Sequence, residues 1–203
     1  MKKLRPYQQG TIDYFCGVYA VINAFRWAAK GHKILSYKES CLLYQYLISF
    51  LAEKNRFDEV LRHGTSCELL SQIIKRANKY IGKNFSLSLN FETPFSHTKK
   101  TVPIVLNEVR AFLEMPNAAW IIRLNNQRLG DHWSVGTGIT DKNRVCLFDS
   151  YGCAGFDANK AVWTPPVKEK DKTPDNPTGM PFPPKGKTYL LKEGQILLTT
   201  EKI

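Results

Sequence analysis

The sequence predicts an α+β domain in which N-terminal helices pack on a C-terminal antiparallel sheet. Three observations carry that expectation. Capped segments with helical apolar spacing fill the first half of the chain, and short alternating segments fill most of the second. This order argues against the alternation of strand and helix that builds a parallel sheet. The 203 residues are 43% hydrophobic and 23% charged, which is enough for one domain with its own core and excludes a disordered or collagen-like chain.

Tyr14 to Lys30 is the strongest helical segment, interrupted by few polar residues, chiefly Asn23 and Arg26. A helix apolar nearly all round belongs at the centre of the fold. Asp13 can cap it by accepting free N–H groups of the first turn. Ser36 with Glu39 forms a capping box that opens a second helix running to about Lys54. Thr65 with Glu68 reads as another box, for a helix ending near Gly82. A fourth helix is expected from Pro103 to just before Pro116. Strands are expected at Ser86 to Phe91, Ala118 to Leu124, Trp133 to Ile139, Arg144 to Phe148, Thr188 to Leu191 and Gln195 to Thr199. Asp141 to Asn143 makes a hairpin turn, since Asn accepts positive φ. Seven of the eleven prolines fall between Thr164 and Lys187, which marks a long loop within a single domain spanning 1–203.

Lys and Arg exceed Asp and Glu by 29 to 18, a net charge of +11. That excess favours acidic partners without deciding a fold. The lysines from Lys168 to Lys172 read as a solvated loop rather than a nucleic-acid surface. No apolar run reaches the roughly 18 residues of a membrane span. Five cysteines with no C-x-x-C pair fit free thiols in a cytoplasmic protein, or in one exported without a cleavable signal. His63 with Cys67 is the only close pair of zinc-type ligands, so no metal or other cofactor is expected.

Three places can carry chemistry. Cys16 lies where the polar segment from Gln8 enters the central helix, so the helix dipole favours its thiolate. His132 opens the strand at Trp133, and Asp149 ends the strand at Phe148. An imidazole can take the thiol proton, and a carboxylate can fix the imidazole tautomer. Gln9 or Gln8 can donate to a developing oxyanion, and so can the backbone N–H of Cys16. One obstacle is register. A three-residue turn at 141–143 sets Val135 opposite Asp149 and turns His132 to the wrong face, so a one-residue bulge is expected at Gly136 or Gly138.

Gln, then Cys at a helix start, then His and Asp on later strands resembles the order of the papain-like cysteine peptidases. Asp13-Tyr14-Phe15-Cys16-Gly17-Val18-Tyr19-Ala20 is similar to the nucleophile motif of the bacteriocin-leader peptidases, and Gly64-Thr65-Ser66 before a helix resembles a second motif of those relatives. His132-Trp133 with Asp149-Ser150 resembles the ubiquitin-like-protein proteases, which carry Cys last. Gln9-Gly10 with Asp131-His132-Trp133 resembles the Josephin deubiquitinases. Gln9 stands seven residues before Cys16 and Gln8 eight, against five or six in these families. The resemblance implies a papain-like fold and hydrolysis of a peptide or isopeptide bond in a protein substrate, one with an acidic face given the charge. A related thiol amidase or acyltransferase, and a basic binding module without chemistry, are the alternatives.

Overall fold

The computed structural model describes residues 4–10, 13–165 and 181–203. The Lys168 to Lys172 run, and most of the proline-rich segment around it, lie outside the described residues.

Helix α1 (Cys16–Ala28) is the central helix, and eleven of its thirteen residues are buried. It begins two residues later than expected, because Asp13 Oδ1 accepts the Phe15 N–H at 3.1 Å and sets up the first turn from outside. Helix α2 (Tyr37–Glu53) opens on the expected capping box, with Glu39 N–H donating to Ser36 and Ser36 N–H to Glu39. A short helix α3 (Phe57–His63) follows that the sequence pattern did not reveal. It buries only Val60, too little to leave a periodic signal.

Helix α4 (Cys67–Phe85) is capped by Ser66, one residue after the expected Thr65. It also runs past Gly82 to a left-handed Ser86. Gly82 is not a stop here. A Cβ there would lie 3.5 Å from Ile203 and 3.7 Å from the Leu87 carbonyl, ordinary contact distances, and the helix simply continues through it. Helix α5 (Val102–Leu113) carries Pro103 in its first turn.

The strands are β1 (Leu87–Glu92), β2 (Ala118–Asn126), β3 (Gly130–Ile139), β4 (Arg144–Leu147), β5 (Gly155–Asp157), β6 (Ala161–Trp163) and β7 (Thr188–Lys202). Their order in the sheet is β1-β7-β2-β3-β4-β5, all antiparallel, with β6 joined in parallel to β7. The two strands expected after Thr188 are one long strand. Its irregular point, between the pairings of Ile122 and Leu124, is where Gly194 passes the Arg123 side chain so closely that a Cβ would lie 2.4 Å away. Gln195 fills the gap in the ladder by donating to the Leu191 and Arg123 carbonyls.

Side chains alternate across the sheet, and the two faces make two cores. Ala119, Ile121, Trp133, Val135, Ile196 and Leu198 pack with α1, α2 and α4. Trp120, Ile122, Leu124, Val145 and Leu190 pack with α5 and the β5–β6 connection. The helices therefore cover both faces.

Candidate active site

Cys16 is the first residue of α1 and is buried. Two contacts fix its position against the sheet. Gly17 lets the first turn press on Thr65, since a Cβ there would lie 2.7 Å from the Thr65 side chain. The Thr65 carbonyl in turn accepts the Trp133 indole N–H at 2.8 Å. The Gly64-Thr65-Ser66 segment thus ties the start of α1 to the residue following His132.

His132, third in β3, is 1% exposed. Its Nε2 lies 2.7 Å from Asp149 Oδ2, and Cys16 is near enough to the same ring to favour its charged form, while the thiol itself donates to the Tyr14 carbonyl at 3.9 Å. Burial works against the charged imidazole, but the Asp149 and Cys16 interactions outweigh it and raise the group to about 9. Asp149 follows β4 in a tight turn. Its other oxygen accepts the backbone N–H groups of Tyr151 at 2.8 Å and Cys153 at 3.1 Å. Gly152, at φ 72°, gives the turn its positive φ. Burial opposes the carboxylate charge, yet His132 first, then the surrounding donors, hold its pKa below the ordinary value.

The expected bulge is present. Gly136 pairs with Leu147 but Gly138 with Cys146, so the extra residue falls between the two glycines. Below it Phe148 N–H donates to the Val135 carbonyl at 2.8 Å, which sets position 149 opposite Ser134. With period-two alternation His132 then shares a face with Asp149.

Gln9 is buried next to this turn. Its backbone N–H donates to the Ser150 carbonyl at 3.2 Å and its side-chain amide to the Asp13 carbonyl. Its Oε1 has no partner among the described residues. Gln8 is exposed and walls a cavity of about 560 Å³ that reaches Asp149 and Gly152. The Arg5–Gln9 segment is strapped to α1. Asn23 exchanges two hydrogen bonds with the Tyr7 backbone, and Arg26 donates to the Arg5 carbonyl at 2.8 Å beneath the Tyr7 ring. The two polar interruptions of α1 are therefore the residues that hold the strap.

Sequence reasoning missed Tyr151, whose ring stacks on His132 at 4.8 Å and 18°. No spacing signal marks it, because the stack depends on the turn after Asp149. It also missed Asp131, which receives two hydrogen bonds from Arg123 at 2.9 and 2.7 Å and steadies the strand beside His132. A charged pair two residues offset across β2 and β3 was the available clue. All five cysteines are free. Among the described residues no cluster of three or more His, Cys, Asp or Glu could hold a metal ion, and no helix is long and apolar enough to cross a membrane.

No protein-family profile matches the chain, and no curated protein sequence matches it.

Proposed function

We infer that the protein is a papain-like cysteine hydrolase that cleaves a peptide or isopeptide bond with Cys16, His132 and Asp149. One observation carries the reading: a buried His–Asp pair at 2.7 Å whose imidazole lies within electrostatic reach of a thiol at a helix start. An inert core has little use for that arrangement, since burying an ionisable pair is costly without a task for it.

Cys16 gives its proton to His132, and its sulfur attacks the carbonyl carbon. The carbonyl electron pair moves to oxygen, where the Cys16 N–H at the positive end of α1 stabilises it. Gln9 or Gln8 supplies the second donor, Gln9 after its amide leaves the Asp13 carbonyl. Collapse expels the amine, which takes the proton from His132. Water then enters, gives a proton to His132 and cleaves the thioester, and the proton returns to sulfur. Asp149 keeps the imidazole in one orientation throughout and stabilises its charged form.

The test is thiol labelling with hydrolysis read alongside. At neutral pH iodoacetamide should modify Cys16 faster than the other four cysteines, and Cys16→Ala should keep the native circular-dichroism spectrum while losing all cleavage of peptide and isopeptide substrates. Uniform slow labelling of the five thiols would favour the binding module instead.

A further inference from the structure

Beside the strap, opposite the cavity that reaches Asp149, lies a second cavity of about 380 Å³. We propose that it is a subsite for an uncharged aromatic group of the substrate, of the size and polarity of a phenol; this rests on the hydrolase reading above.

Four tyrosines from three elements line it: Tyr7 of the strap, Tyr19 of α1, and Tyr37 and Tyr44 of α2, with Gln8 and Cys41 between them. The rings pair as walls, Tyr7 with Tyr37 at 6.0 Å and 69°, Tyr19 with Tyr44 at 5.4 Å and 49°. Tilted and edge-on rings of this kind receive another ring by its edge or face, beyond the gain from burial alone. The tyrosine hydroxyls and two glutamine side chains supply hydrogen bonds for a polar tip.

No lining residue is charged, so burying a charged group there would leave it uncompensated. A cation would gain from the rings, but the Arg26 guanidinium already lies 3.8 Å from the Tyr7 ring centre. The volume is also that of a ligand pocket rather than an ammonium cage.

Position links the cavity to the chemistry. Tyr7 and Gln8 wall both cavities, so this one and the space at Asp149 meet at the strap. Tyr19 stands one helical turn from Cys16. The charge of Asp13, three residues before the nucleophile, is felt by Tyr19, Tyr44 and Tyr151 alike.

Cys41 reports occupancy without any need for turnover. In the Cys16→Ala chain, iodoacetamide modification of each cysteine is followed by peptide mass spectrometry with N-acetyl-L-tyrosinamide, N-acetyl-L-leucinamide or tetramethylammonium present. The phenolic amide should slow Cys41 but not Cys67, Cys146 or Cys153, and should do so at about fivefold lower concentration than the leucine compound. Tyr37→Ala, at a 74% exposed position that folding does not need, should weaken that protection. No slowing of Cys41, equal slowing by tetramethylammonium, or undiminished protection in Tyr37→Ala would each overturn the proposal. The two readings fail separately. Protection without cleavage of any peptide by the unaltered chain keeps the subsite and removes the hydrolase. Cleavage indifferent to Tyr, with no protection, removes the subsite and keeps the hydrolase.

Discussion

Each member of the Cys16–His132–Asp149 set is fixed by a neighbour that does no chemistry, and those neighbours can be tested singly. Asp149→Asn keeps the shape of the turn but replaces the charge that lifts His132 to about 9. If the imidazolium must persist for turnover, the alkaline limb of kcat/KM should lie near pH 9. In Asp149→Asn that limb should move to lower pH, with activity reduced and not abolished, as a pH–rate profile will record. Tyr151 is 42% exposed, and its hydrogen bond to Asp149 is made by the backbone N–H, so Tyr151→Ala should fold. Losing the stack frees the ring orientation and admits water. We expect kcat to fall about tenfold or more with KM little changed, and the alkaline limb to rise as His132 becomes less buried. Tyr151→Phe, which retains the ring, should restore both.

At the scale of elements, the bulge between β3 and β4 sets the alignment of His132 and Asp149. Gly136 has no room for a side chain, since a Cβ would lie 2.4 Å from Trp120, which is fully buried. Gly138 has nothing within 4 Å. Gly136→Ala should therefore cost about 1–3 kcal/mol and slow Cys16 labelling, while Gly138→Ala leaves both nearly unchanged; denaturant melts and the labelling assay decide. Part of this architecture was legible because its causes are local. The Ser36–Glu39 box names its own helix start, and a three-residue turn with a fixed side-chain period required a bulge once His132 and Asp149 were to share a face. Gly82 misled because a glycine is tolerated inside a helix as well as favoured just past its end, and nothing local to the residue tells which. The three-residue strands β5 and β6 carry no pattern of their own. The tyrosine cavity draws on positions 7, 19, 37 and 44, which no periodicity unites.

Taken whole, the molecule carries +11 around a site whose walls are mostly neutral. The field should then act on approach more than on the bound state. With an acidic protein substrate, kcat/KM should fall as sodium chloride rises from low strength to about 0.15 M, where the screening length is about 8 Å. With a small uncharged peptide it should stay flat. Steady-state assays of the two substrates side by side test this, and a flat response for both would remove charge from the account of recognition.

The place of β7 in the sheet has a further consequence, in the order of folding events. This strand comes from the far end of the described chain, yet it separates β1 from β2, and Thr200 donates to the Ala28 carbonyl across 172 residues. Until residues 188–202 arrive, β1 has no partner and the apolar faces of α1 and α4 lack Ile196 and Leu198. Helices can form early on the ribosome, but closing so long a loop delays the sheet. Any helices that form before that closure expose the apolar faces they later bury against the sheet, which is where aggregation competes with folding.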